Sequence, residues 1–232
     1  MNINNESLGV TAEKVICDLS GIDSSILIGR SVPELEDAIK PYLEQALKEL
    51  PPIVKYVGQE RGGRGGQSKS PIDFYFEDGR TLSLKTNKTN KKVCPSRCGQ
   101  PGNITFDRYF HHLYDDPNDK ITYDKFKRLA LEKTHLMIPI YLANTFDCDY
   151  LLWLYYQTKR KEYKIIKKDD ISDYEWKKEN VTFTQTLESW NESCTVKYKG
   201  KTLGEYQVHK HRNNYKFRFN FDNLCYLLGL WS

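Results

Sequence analysis

The stretch Pro71-Ile72-Asp73-Phe74-Tyr75-Phe76-Glu77-Asp78-Gly79-Arg80-Thr81-Leu82-Ser83-Leu84-Lys85-Thr86-Asn87 decides how this chain is read. Two runs of alternating polar and apolar residues flank a turn-forming Glu77-Asp78-Gly79-Arg80 segment, which is the pattern of a β-hairpin. Side chains alternate between faces along a strand. Ser83 and Lys85 therefore share one face, and Leu82 and Leu84 share the other. On the first strand, Asp73 and Tyr75 point away from Ile72, Phe74 and Phe76. A two-residue Asp78-Gly79 turn would set Asp73 across from Leu84, on the wrong face. A three-residue Glu77-Asp78-Gly79 loop, with Gly79 in the left-handed region, pairs Asp73 with Ser83 and gathers Asp73, Ser83 and Lys85. We predict the three-residue loop.

An Asp and a Lys gathered on a strand pair suit metal-assisted hydrolysis of a phosphodiester. Such a reaction needs a cation to polarise the phosphate and acidify a water, and a group to position that water. Mg²⁺ takes oxygen ligands and keeps several waters, so one or two carboxylates with a main-chain carbonyl build its site. A Lys beside them orients or deprotonates the nucleophile and stabilises the developing charge.

Upstream, residues 7–20 read as a helix, capped by Ser7 or Thr11 and striped by Val10, Val15, Ile16 and Leu19. Glu13 lies on it. A second helix starts near Pro33 and ends at Pro51-Pro52, with a kink or break expected at Pro41. Ile53–Val57 reads as a short strand feeding a loop of five glycines with Arg61, Arg64, Ser68 and Lys69. The spacing is not that of a nucleotide-binding loop, and no nucleotide cofactor is expected. We read the loop as a phosphate contact or a cover over the site.

Downstream, Ile104–Leu113 and Tyr123–Lys133 read as helices. The apolar runs Leu136–Leu142 and Leu151–Tyr156 fit a sheet-core strand and a buried helix equally well. From Tyr163 onward short alternating stretches predict a β-rich part, closed by the apolar segment Leu224–Trp231. The fold expected is α/β: a central mixed sheet flanked by helices, with a β-rich C-terminal part. We expect one domain over 1–232, with a core of about 7–160 and a β-rich part of about 161–232.

A chain of 232 residues with 39% hydrophobic residues has enough apolar material for a packed core. Neither a span of roughly 18 apolar residues nor a secretion signal is visible, so we expect a cytoplasmic protein with no membrane association. The net charge of +4 agrees with a nucleic-acid partner without requiring one. The six cysteines lack a disulfide-framework spacing. Cys94 and Cys98 have no second close Cys/His pair, so zinc is not expected.

The order Pro71-Ile72-Asp73, nine residues, Ser83-Leu84-Lys85 resembles the motif of the PD-(D/E)XK nucleases, particularly type II restriction endonucleases. So do the flanking Gly66–Ser70 and Thr86-Asn87, and the helix Ser7–Cys17. The likeness covers mainly residues 7–105, with a weaker echo in His209–Leu228. It implies a restriction-endonuclease-like core and Mg²⁺-dependent cutting of double-stranded DNA at a specific, palindromic sequence by a homodimer. Asp73 would bind the metal, the Leu84 carbonyl would add a ligand, and Lys85 would handle the water. Ser83 departs from the pattern, because it stands where the family carries a second acid. Glu13 is the candidate replacement, with Glu60 and Glu44 behind it. Two alternatives stay open: a structure-specific repair or recombination nuclease, and a DNA-binding protein that does not cut.

DNA contact is expected from Arg61, Arg64, Ser68 and Lys69, and from Asn87, Lys88 and Asn90 after the hairpin. Gln100 precedes a helix whose N-terminus can face a phosphate. His209, His211, Arg212, Lys216 and Arg218 form the candidate for sequence readout, since Lys216 and Arg218 share the face opposite Tyr215, Phe217 and Phe219.

Overall fold

A computed structural model describes residues 4–58, 70–88, 91–157, 160–171, 173–208 and 214–230. The chain begins with α1 (Asn5–Leu19), α2 (Pro33–Lys48), β1 (Ile53–Tyr56), β2 (Phe74–Phe76), β3 (Thr81–Asn87) and β4 (Lys92–Val93). It continues with α3 (Asn103–Phe110), α4 (Tyr123–Thr145), β5 (Tyr150–Gln157) and β6 (Arg160–Lys167). It closes with β7 (Val181–Phe183), β8 (Ser193–Tyr198), β9 (Lys201–Val208), β10 (Tyr215–Asn220) and α5 (Phe221–Leu227). Two compact units result, one from Met1–Lys91 with Phe146–Ile171, the other from Lys92–Thr145 with Ser172–Ser232. A boundary near 160 coincides with neither.

The first unit holds a five-stranded sheet in the order β1-β2-β3-β5-β6. β3 and β5 run parallel while the remaining neighbours are antiparallel, so the sheet is mixed and the architecture α/β, as expected. Leu82, Leu84, Leu152 and Leu154 pack with Leu8, Ala12 and Ile16 of α1 and Ile39 and Leu43 of α2 in one core. Both faces of β5 are buried from Tyr150 to Tyr155, which is why its sequence shows no alternation. The similar run Leu136–Leu142 lies instead within α4 of the second unit, whose helical path is interrupted at Lys133 (φ −122°, ψ 16°).

Two helix expectations shift in detail. Asn4, not Ser7 or Thr11, caps α1; its side chain accepts the Ser7 N–H, and the Ser7 hydroxyl closes the reciprocal bond. The Thr11 hydroxyl turns back to the Ser7 carbonyl and also accepts the Val32 N–H, joining α1 to the entry of α2. Pro41 neither breaks nor divides α2, which runs unbroken from Pro33 to Lys48. Among the described residues no helix is long and apolar enough to cross a membrane.

The hairpin adopts the three-residue loop. Phe76 N–H bonds to the Arg80 carbonyl, Gly79 N–H returns to the Phe76 carbonyl, and Gly79 has φ +82°. The ladder then pairs Tyr75 with Thr81 and Phe74 with Leu82. Asp149 fixes the far side of β3 by accepting both the Thr81 N–H (2.8 Å) and the Thr81 hydroxyl (2.6 Å). A Cβ at residue 79 has open space around it, so only backbone strain opposes a larger residue there. Gly79→Ala should therefore destabilise the protein by about 1 to 2 kcal/mol in urea unfolding. An unchanged midpoint would show that the loop does not depend on a left-handed residue.

Candidate active site

β2 begins at Phe74, one residue after Asp73, while β3 continues past that point. Leu84 N–H consequently has no β2 carbonyl to meet, and the Asp73 carboxylate takes that role: its Oδ2 accepts the Leu84 N–H at 2.7 Å. The Asp73 main chain is held as well, with its N–H on the Leu82 carbonyl and its carbonyl accepting from Val57 N–H. The Ser83 hydroxyl donates to the same Oδ2 at 3.4 Å, and Ser83 is fully buried. An extended strand points a residue's N–H and C=O to the same side. The Leu84 carbonyl therefore lies on the Asp73 side of β3 too.

Glu13, on α1, lies within electrostatic reach of Asp73 and Lys85. Its Oε2 accepts the Tyr56 hydroxyl at 2.6 Å, a bond from β1 that fixes the carboxylate. Burial and the Asp73 charge push the Glu13 carboxyl up to about 7, against Tyr56, Arg30 and Lys85, which favour its ionised form. Burial also raises Asp73, opposed by Lys85, the Leu84 N–H and the Ser83 hydroxyl. Two carboxylates and one ammonium thus act on each other within the first unit, each from a different element: α1, the entry to β2, and β3.

The hairpin geometry brings Asp73, Ser83 and Lys85 together, and α1 adds Glu13. Glu44 is not part of this cluster; it lies exposed on α2, 4.0 Å from Lys40. Glu60, Arg61, Arg64, Ser68, Lys69, Asn90, His209, His211 and Arg212 lie outside the described residues. Asn87 needs correcting: it is buried at 2% exposure, and its Oδ1 accepts the Trp153 indole N–H at 2.7 Å. It braces β3 against β5 and does not face a groove. Lys88 is half-buried and its main-chain N–H bonds to Asn5 Oδ1. In the second unit Gln100 is exposed, while Lys216 and Arg218 are half-buried on β10.

Two neighbours of the cluster carry no sequence signal. Tyr56 contacts Glu13 across 43 positions, a pairing that no local pattern announces. Its ring lies where a Cβ on residue 58 would fall, 2.4 Å away, so Gly58 is required for this placement. Cys148 is buried, and burial pushes its thiol up to about 12 despite the Lys85 charge, so it stays protonated.

The chain is similar to a type II restriction enzyme. The relative is CviAII of Paramecium bursaria Chlorella virus 1, 31% identical over 159 residues. The likeness covers 67% of this chain and 43% of the relative, so the chain spans less than half of that protein. No family model matches the chain, and no solved structure matches it.

The carboxylate pair has a measurable consequence. Folding raises Glu13 from 4.5 to about 7, so the folded protein holds the extra proton across that window. The contribution to stability is fully present below 4.5 and is lost as pH rises through about 7. Glu13→Gln, which cannot ionise, should therefore gain on the wild type between pH 5 and pH 8 by on the order of 1 to 3 kcal/mol. The comparison is made by urea unfolding in a chelating buffer. A difference that does not change with pH would show that neither burial nor the Asp73 charge raises Glu13.

Proposed function

We propose that this protein is a type II restriction endonuclease on a PD-(D/E)XK core, hydrolysing double-stranded DNA at a specific sequence with Mg²⁺. The observation that carries the proposal is the Asp73 carboxylate bonded to the Leu84 N–H just before β2 begins, with Glu13 and Lys85 within electrostatic reach. The similarity to CviAII supports the same reaction class independently of the geometry.

The donor set suits a hard dication. Glu13, Asp73 and the Leu84 carbonyl all offer oxygen, as Mg²⁺ requires. Cys148, the nearby sulfur, is held protonated. Burial raises both carboxyls above their usual range, so a bound cation would favour their ionised forms. When bound, the ion would polarise a phosphoryl oxygen and acidify a water.

The protein's own groups supply the rest. Leu84 N–H and the Ser83 hydroxyl orient Asp73 and leave its other oxygen for a ligand. Tyr56 does the same for Glu13. Lys85 positions the attacking water and offsets the charge that develops on the phosphate. Lys88 and the cations around the hairpin contact neighbouring phosphates. A homodimer follows from the two-fold symmetry of a palindromic site.

The test is incubation of plasmid DNA with the full-length protein and Mg²⁺, where discrete fragments are expected and EDTA should suppress them. Asp73→Asn and Lys85→Ala should each lower the cleavage rate on the order of 10²- to 10⁴-fold, with duplex binding still measurable. If both variants cut like the wild type, the hairpin takes no part in the reaction. Nicking that follows DNA structure and not sequence would replace the restriction assignment with a repair nuclease.

A further inference from the structure

The second unit contains a sheet in the order β4-β10-β9-β8-β7, and the register along one of its faces is regular. Arg218 pairs with Glu205 and Glu205 with Thr195. The next row pairs Lys216 with Gln207 and Gln207 with Ser193, while Asn220 of β10 pairs with Lys92 of β4. These polar residues alternate with Tyr215, Phe217, Phe219 and Tyr206, which are buried beneath the sheet. The alternation is that of a sheet with one packed and one solvated face.

The charge on the solvated face is unbalanced. Along these rows Lys92, Lys216 and Arg218 face a single carboxylate, Glu205. That carboxylate accepts from Lys92 Nζ, from Gln207 Nε2, and from Arg218 Nη2 at 3.1 Å. Burial alone would raise the Glu205 carboxyl, but Lys92 and Arg218 hold it below the usual carboxylate range. Lys216 is compensated less: burial and the Arg218 charge lower its ammonium, and Cys94 and Glu205 offset them only in part. The backbones are kept close by Gly204, where a Cβ would fall 2.5 Å from the Arg218 carbonyl oxygen. The face therefore presents more positive charge than its own carboxylate offsets, and the side chains carrying it are partly ordered before any ligand arrives.

We propose that this face anchors the phosphates of duplex DNA. Lys216, Arg218 and Lys92 neutralise the backbone, and Glu205 positions Arg218 and Lys92 while limiting their pull. Duplex DNA is chosen among polyanions because of the nuclease proposal above, on which this inference rests. The three cations suit phosphates better than base edges, since Lys is a point charge and the Arg218 fork is already engaged by a carboxylate.

The experiment is fluorescence anisotropy of a labelled duplex with the full-length protein in EDTA, from about 50 to 200 mM salt. Lys216→Ala and Arg218→Ala should each weaken binding several-fold at low salt and reduce the salt slope by about 1. Glu205→Gln removes the carboxylate charge and should act oppositely, tightening binding several-fold and steepening the slope. A merely structural role for Glu205 would weaken binding instead and would overturn its assignment. Wild-type slopes in both cation variants would overturn the surface, as would a changed sequence preference at an unchanged slope. Plasmid cutting with Mg²⁺ separates the two proposals. A protein that binds with these slopes but never cuts retains the surface and loses the nuclease assignment; one that cuts while the variants' slopes stay unchanged does the reverse.

Discussion

The Asp73 carboxylate accepts the Leu84 N–H in the position a strand carbonyl would occupy, and the rest of the site is arranged around that bond. It is possible only because β2 begins where it does and because the loop contains three residues. A slip of one residue would move Ser83 and Lys85 to the face of Leu82 and Leu84, burying an ammonium in an apolar core. The register is thus enforced from both sides of the sheet. The leucines need the helices, and the polar residues need Asp73. α1 is held close to β3 as well, since a Cβ at Gly9 would come within 3.3 Å of the Thr86 hydroxyl oxygen. That proximity lets a helix residue, Glu13, share a site with residues of the hairpin.

The charged clusters around Asp73 and around Glu205 differ in sign. Glu13 stands above its ordinary range because burial and the Asp73 charge outweigh Lys85, and Asp73 does so because burial outweighs Lys85 and its hydrogen bonds. Glu205 stands below its range because Lys92 and Arg218 outweigh burial. The first cluster is short of positive charge and the second has a surplus. Opposite imbalances of this kind match the two demands of phosphodiester chemistry, a cation at the reacting phosphate and a basic surface along the backbone.

Local chemistry made much of this legible. Gly79 after Glu77-Asp78 announced a left-handed residue, and alternation on either side set the faces, so the hairpin followed from a few residues. The helices α1 and α2 followed from spacing, although the cap moved to Asn4, because a capping box uses the side chains at both of its ends. Pro41 misled: a proline inside a helix removes one bond and costs stability, but packing of Leu35, Ile39 and Leu43 on the sheet outweighs that. Leu136–Leu142 and Leu151–Tyr156 were indistinguishable because both are short, nearly continuous apolar runs; only tertiary placement made one a helix and the other a strand. Asn87 looked like a groove contact by residue type, yet its partner Trp153 lies 66 positions away. The Tyr56–Glu13 bond and the interleaving of the two units are equally non-local.

The pairing of β3 with β5 also constrains how the chain is made. β3 closes at Asn87, and its parallel partner begins only at Tyr150. At ordinary elongation rates a ribosome needs on the order of 3 to 12 seconds to synthesise the intervening segment. Throughout that interval β3 is an open edge, with its ladder groups available to any other extended chain. Lys85 is then a charge on an unpaired strand, a feature that discourages edge-to-edge association.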